Sequence, residues 1–163
     1  MNKNIVIVGA LVLGLVTILT ACGRQPTAEI QPAQTSGDSF KTVGDYEMHY
    51  NALRTDQLTA DIARAYGIER SKNKVLLNVS VLRRAEGATS TTASDADVAA
   101  AVHNLNGQTK DLTLRRITEG TAIYYIGDIS ISGNETVVFE IKATPTGSAT
   151  PLEATLTREF FSN

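Results

Sequence analysis

Few side chains of this 163-residue chain are of types that carry covalent or metal chemistry: it has one cysteine and two histidines. The thiol of Cys22 could act as a nucleophile or accept a lipid. His49 and His103 could each act as a base or a metal ligand. They fall on separate predicted strands, however, and nothing in the spacing makes them converge with a carboxylate such as Glu47 or Asp97. We therefore predict no catalytic residue, no metal site and no cofactor.

Motifs that bring catalytic groups or phosphates together do not occur in the sequence. There is no G-x-S-x-G elbow, no H-E-x-x-H pair, no glycine-rich phosphate loop and no EF-hand spacing. A single cysteine excludes an intramolecular disulfide framework. The formal net charge of −2 gives no reason to expect nucleic-acid binding. These features favour a protein that is not an enzyme.

The surroundings of Cys22 predict a lipid anchor. Lys3 precedes an apolar run of 15 residues, 5–19, which as a helix spans about 23 Å and is short of a bilayer core of roughly 30 Å. This is the pattern of a secretory signal. The tetrapeptide Leu19-Thr20-Ala21-Cys22 resembles the lipobox of bacterial lipoproteins, in which the cysteine is lipidated and becomes the first residue. The alternative is an uncleaved membrane anchor with an incidental cysteine.

These features predict a location in the cell envelope. We predict a signal peptide over 1–21 and a lipidated flexible tether over 22–39, because residues 23–39 are rich in Pro, Gln, Thr, Ser and Gly and lack an apolar period. Gly23 stands where an acidic residue would resemble an inner-membrane retention signal. The expected location is therefore the outer membrane, with the domain over 40–163 facing the periplasm.

The sequence over 40–163 predicts a domain that is mainly β. Apolar and polar residues alternate in short runs that are separated by turn signals such as Asn106-Gly107, which predicts a sandwich or barrel. Seven strands are predicted, at 43–52, 74–84, 96–105, 108–118, 122–131, 136–144 and 152–161.

One helix is predicted between the first two of these strands. Thr59 can cap its first turn, Asp61 suits that turn, and Gly67 suits the left-handed position after the last turn. Ile62 and Tyr66 belong to an apolar stripe, which we expect to close one end of the sandwich.

Basic residues concentrate near this helix. Residues 51–84 carry seven basic and three acidic side chains, whereas residues 85–163 carry five and ten. If Arg64, Arg70, Lys72 and Lys74 converge, they could bind an anionic glycan, a lipid head group or an acidic partner. The alternative is a solvated loop whose charges keep the domain soluble.

Several separated segments, in order, resemble one protein family. They are 44–51 (GDYEMHYN), 65–71 (AYGIERS), 104–108 (NLNGQ), 122–126 (AIYYI) and 158–161 (REFF). The family is an uncharacterised group of Gram-negative envelope proteins classed as a domain of unknown function. The resemblance implies a periplasmic, immunoglobulin-like sandwich over 40–163, in a secreted protein or a lipoprotein. It brings no activity, cofactor or catalytic residue.

Two functions remain open. The favoured one is a non-enzymatic lipoprotein, held at the membrane by its lipid, that presents an edge strand or loop surface to another envelope component. His49, Tyr50, Asn51 and Arg70 would give that surface polar specificity, unless Tyr50 packs in the core. The second is a module that binds a small or anionic molecule, such as a glycan or lipid head group, in a pocket under the helix bordered by Tyr66 and Arg70.

Overall fold

The computed structural model describes residues 39–162. The predicted signal peptide, the lipidated Cys22 and the tether up to residue 38 lie outside the described residues. No helix in the described part of the chain is long and apolar enough to cross a membrane.

Strands dominate the described residues, as the sequence predicts. Nine strands, one helix and one short 3₁₀ turn follow one another. They are β1 (Phe40–Val43), β2 (Tyr46–Arg54), the 3₁₀ turn (Thr55–Gln57), α1 (Ala60–Ala65), β3 (Lys74–Arg84), β4 (Thr91–Ala93), β5 (Ala96–Asn104), β6 (Arg115–Glu119), β7 (Ala122–Ser130), β8 (Glu135–Pro145) and β9 (Leu152–Phe160).

Two antiparallel sheets form a sandwich. The larger sheet has the order β1-β2-β3-β7-β6, with β4 paired to β3, and the smaller sheet has the order β5-β8-β9. Every pairing between neighbouring strands is antiparallel. The prediction of a mainly β sandwich with one short helix is confirmed.

The core lies between the sheets because alternate residues of each strand point inward. On the larger sheet, Met48 and Ala52 of β2 and Leu77 of β3 are fully buried. On the smaller sheet, Phe139 is fully buried and Ile141 nearly so. These side chains belong to one continuous apolar cluster, so the interior of the sandwich is filled.

Two of the predicted strands differ in the structure. The first begins earlier, at Phe40, and folds back on itself at Gly44 (φ +57°), because a glycine accepts the left-handed conformation that a tight turn requires. The predicted strand at 108–118 is wrong over residues 108–114, where Thr109 forms only an isolated bridge to His103. Residues 110–114 are irregular and pass from the smaller sheet to the larger one. The strand resumes as β6 at Arg115.

Helix α1 has the ends that the sequence predicts. The Ile62 N–H donates to the Thr59 hydroxyl oxygen at 3.3 Å, and Gly67 adopts φ +60° just after the helix. Its position differs from the prediction, because it does not close an end of the sandwich. Ala63 and Ile68 instead pack against Leu76 and Ile126, whose side chains leave the larger sheet on the side away from the core.

Candidate binding face of the larger sheet

The outer face of the larger sheet is the face opposite the core, and it carries two of the predicted binding residues of β2. Because side chains alternate along β2, the burial of Met48, Tyr50 and Ala52 in the core places His49 and Asn51 on this outer face. Register places His49 opposite Ser80 and Asn51 opposite Asn78 on β3. Two of the five predicted residues thus share one surface.

Tyr50 lies on the inner face of β2 and is only 7% exposed. Its ring belongs to the core cluster, which is the alternative that the sequence left open. Its side chain is therefore not available to a surface partner.

An apolar pocket forms where α1 covers the outer face, and we call it the α1 pocket. It has a volume of about 30 Å³. The sheet supplies the floor, and α1 with its flanking residues supplies the cover. Its lining residues are Leu53, Leu58, Ile62, Tyr66, Ile68, Leu76, Asn78, Ile117, Tyr124 and Ile126. Tyr66 lines this space under the helix as the sequence suggests, whereas Arg70 is not part of its lining.

Asn78 places a polar atom in this apolar wall. Its Oδ1 atom is buried and has no hydrogen-bond partner among the described residues. Its cross-strand neighbour Asn51 differs, because the Asn51 Oδ1 atom accepts a hydrogen bond of 2.8 Å from Arg158. An unpaired buried acceptor costs about 1–3 kcal/mol, so most such groups in native proteins are paired. Asn78 was not predicted as a site residue, although an amide in the apolar run KVLLNVSV was a usable signal.

Tyr66 fixes the cover of the α1 pocket to the edge of the sheet. Its hydroxyl donates to the Glu119 carboxylate, and its backbone carbonyl accepts from the Arg115 guanidinium. Both partners lie on β6, the edge strand. Burial, followed by the hydrogen bond to Glu119, raises the pKa of Tyr66 above its usual value. Tyr66 therefore serves as a protonated donor that holds α1 in place.

The basic residues near the helix are engaged with separate partners. Arg70 donates to the backbone carbonyl of Asp56 at 2.8 Å. Arg64 pairs with Asp61 at 3.1 Å within the helix. Lys74 pairs with Glu69 at 2.9 Å and approaches Asp128 at 3.4 Å, and the Glu69 hydrogen bond raises the pKa of Lys74. Arg64 and Lys74 are thus paired with carboxylates, whereas the partner of Arg70 is an uncharged carbonyl.

His49 belongs to a small cluster on the outer face of β2, next to β1. Its ring lies 5.8 Å from the ring of Phe40, which is 47% exposed, and its Nε2 atom contacts the Glu47 carboxylate. Arg84 reaches the same carboxylate at 3.9 Å. His49 therefore interacts with a neighbouring carboxylate and also forms part of an exposed aromatic surface.

His103 lies on the smaller sheet, away from His49. Its Nδ1 atom is 3.1 Å from the Asn104 carbonyl oxygen, and its Nε2 atom is 3.9 Å from Glu140. Within residues 39–162, no group of three or more His, Cys, Asp or Glu side chains is placed to hold a metal ion.

Comparison with known proteins identifies the family of this chain and a solved structure with a similar fold. The model of the family described as "Domain of unknown function (DUF4426)" matches residues 40–163. The crystal structure of a DUF4426 family protein from Pseudomonas aeruginosa PAO1 is similar to this chain, with a TM-score of 0.63 and 30% identity. The match covers 76% of this chain and 94% of that chain. FetP from uropathogenic E. coli strain F11 gives a TM-score of 0.48 and 15% identity, over 75% of this chain and 91% of FetP. No curated protein matches the chain.

Proposed function

Because the chain belongs to the DUF4426 family, whose description assigns no activity, we propose its function from its own residues. It is a non-enzymatic lipoprotein of the bacterial envelope, and its sandwich binds another envelope protein on the outer face of the larger sheet. The α1 pocket receives an apolar side chain of that partner, and Asn78 accepts a hydrogen bond from the partner beside it.

The unpaired Asn78 Oδ1 atom is the observation that carries this proposal. A buried acceptor without a donor lowers the stability of the free protein, and a partner that supplies an N–H or O–H removes that cost. The surrounding wall is apolar, so the group beside the donor must also be apolar. An unpaired acceptor in an apolar wall is typical of a binding surface. In a core without a binding role it would only lower the stability of the fold.

The size of the α1 pocket favours a side chain of a partner protein over a whole small molecule. A volume of about 30 Å³ is far below the roughly 300–1,000 Å³ of pockets that enclose a ligand. Shallow apolar depressions that take one anchoring side chain are common at protein interfaces. His49, Asn51 and Phe40 lie on the same face of the larger sheet and add polar and aromatic groups to it.

A small uncharged molecule is the second candidate, since the α1 pocket would take an aliphatic group next to a hydroxyl or amide donor. An anionic glycan or head group fits this site less well. The wall is apolar, and Arg64, Arg70 and Lys74 already have partners around the helix.

The absence of a nucleophile and base pair in the described residues supports a non-enzymatic role. His49 contacts a carboxylate, and His103 contacts a backbone carbonyl and a distant carboxylate. Neither histidine bonds a serine or threonine hydroxyl there, so the described side chains offer no activated nucleophile.

The envelope location rests on the lipobox-like tetrapeptide at 19–22 and the apolar run before it. We expect mass spectrometry of the mature protein to find a lipidated Cys22 as its first residue. Cys22→Ser should block lipidation and leave a larger precursor, whereas unchanged processing would contradict the anchor. Membrane fractionation of the wild type then distinguishes the outer membrane from the inner membrane.

Site-specific photo-crosslinking in living cells tests the binding face. A photoreactive amino acid at position 49 should capture one discrete envelope protein, and the same amino acid at Thr155, exposed on the smaller sheet, should not. Asn78→Leu removes the unpaired acceptor without adding charge, so capture from position 49 should fall. Equal capture from both positions, or capture that Asn78→Leu leaves unchanged, would contradict the proposal.

A further inference from the structure

Strand β6 leaves one edge of the larger sheet open. It is the last strand in the sheet order, and among residues 39–162 no backbone hydrogen bond joins it to any strand except β7. Hydrogen-bonded pairs alternate along an antiparallel ladder, and Glu119 and Ala122 close the tight turn between β6 and β7. Arg116 and Thr118 therefore direct their N–H and C=O groups away from β7, toward solvent.

The open edges of β2 and β5 are partly covered, in contrast to that of β6. On β2, the Ala52 carbonyl accepts from the Arg158 side chain of β9. On β5, the Val102 carbonyl accepts from the Lys110 N–H at 2.9 Å, and the Ala96 N–H donates to the Tyr125 hydroxyl at 2.8 Å. These contacts use backbone groups that would otherwise invite another strand. Strand β6 has no such cover.

The sequence of β6 is complementary to itself when it runs antiparallel. With Ile117 opposite Ile117 of a second copy, Arg115 falls opposite Glu119 at both ends of the pair. Arg116 then falls opposite Thr118, and these are the residues whose backbone groups face outward. One register thus satisfies the hydrogen bonds and the charges together.

Charged side chains usually protect an edge strand from pairing. On β6 the charged side chains of Arg115 and Glu119 have opposite signs, so they favour pairing with a second, antiparallel β6. Arg115 and Glu119 are exposed and lie on the same face as Ile117. Each can keep its contact with Tyr66, because a guanidinium has five donors and a carboxylate has several acceptor positions.

We infer that the protein forms a two-fold dimer through antiparallel pairing of β6 with β6 of a second copy. The pairing joins the two larger sheets edge to edge, with both α1 helices on the same face. Ile117 also lines the α1 pocket, so the axis brings the two α1 pockets side by side. This inference does not depend on the proposed partner.

Charge reversal in the full-length protein, extracted in detergent, tests the pairing. Arg115→Glu and Glu119→Arg each place like charges opposite one another at both ends of β6, so each should weaken the dimer about tenfold or more in sedimentation. The double variant restores opposite charges and should recover the dimer. It cannot restore the donation from Arg115 to Tyr66, so recovery separates pairing between copies from contacts within one copy. Melting curves confirm that each variant is folded.

Disulfide trapping in intact membranes gives the second readout. Ile117→Cys places two thiols on the two-fold axis, at the separation of a directly opposed cross-strand pair, and should yield a disulfide-linked dimer under mild oxidation. Thr118→Cys is the matched control, because it lies diagonally from its symmetry mate and should not cross-link. The wild type controls for Cys22. A monomer at every concentration, a dimer that Arg115→Glu leaves intact, or equal trapping at 117 and 118 would overturn the inference, whatever the outcome of crosslinking from position 49.

Discussion

Arg116 and Asp95 join the two sheets of the sandwich through a bidentate ion pair. The Nε and Nη2 atoms of Arg116, on β6, each donate to one carboxylate oxygen of Asp95 at 3.0 Å. Asp95 immediately precedes β5 of the smaller sheet. The Tyr125 hydroxyl donates to the same carboxylate at 2.5 Å and accepts from the Ala96 N–H. The start of β5 is therefore fixed to the larger sheet by side chains.

Tyr125→Phe should lower the free energy of unfolding by about 1 kcal/mol. The substitution keeps the ring in the core and removes the hydroxyl that bonds both Asp95 and Ala96. Urea unfolding measures the change. Tyr124→Phe is the control, because Tyr124 points to the opposite face of β7, away from Asp95. An equal loss in both variants would show that the hydroxyl contacts of Tyr125 do not stabilise the fold.

The pH dependence of stability should report on Asp95. The Arg116 guanidinium, followed by the Tyr125 hydroxyl, holds the pKa of the Asp95 carboxyl below its usual value. A carboxyl with a lowered pKa in the folded state stabilises the protein above its unfolded-state pKa, and this contribution is lost as the pH falls through the folded-state pKa. The stability difference between the wild type and Asp95→Asn should therefore persist at neutral pH and shrink below about pH 4. A difference that stays constant from neutral to acid pH would contradict the ion pair.

Gly127→Ala should destabilise the sandwich by about 1–3 kcal/mol. A Cβ atom at this position would lie 2.5 Å from the backbone oxygen of Thr113, so either β7 or the segment over 110–114 must move. Thermal unfolding measures the loss. Ser130→Ala, at an exposed position of the same strand, should change the stability by less than about 0.5 kcal/mol.

Asn78→Leu should raise the free energy of unfolding by about 1 kcal/mol. It replaces an unpaired buried amide oxygen with an apolar group in an apolar wall. Asn51→Leu is the matched variant on the neighbouring strand, and it should destabilise because Arg158 loses an acceptor. Chemical unfolding of the two variants should thus give changes of opposite sign. A loss of stability in Asn78→Leu would mean that the amide contributes to the fold.

Much of the fold could be predicted because burial follows alternation along the strands. The inward positions of β3, including Val75 and Leu77, and the alternation in β2 identify the core. The helix cap and the turn also follow from local chemistry. The Thr59 side chain accepts a hydrogen bond at the start of α1, and Gly67 has no side chain to oppose a positive φ.

Other features depend on contacts that are distant in sequence. Leu112 and Leu114 alternate as in a strand and pack against the core, yet their backbone crosses between the sheets and forms no ladder. Helix α1 has an apolar stripe that suits either an end or a face of the sandwich. Its place on the outer face follows from Leu76 and Ile126, which are apolar on a side expected to be solvated. The burial of the unpaired Asn78 amide oxygen can be recognised only when α1 is known to cover this face.

The short strand β1 is the part of the larger sheet that we expect to yield first under mechanical load. The chain enters the larger sheet there, and β1 is held by its ladder with β2 and by the hydrogen bond from the Tyr50 N–H to the Ser39 carbonyl at 2.9 Å. Tension applied through the preceding chain therefore reaches these few exposed bonds first. They can peel away one after another while the filled interior stays intact. We therefore expect β1 to detach before the rest of the sandwich unfolds when force is applied at the amino-terminal end of the domain.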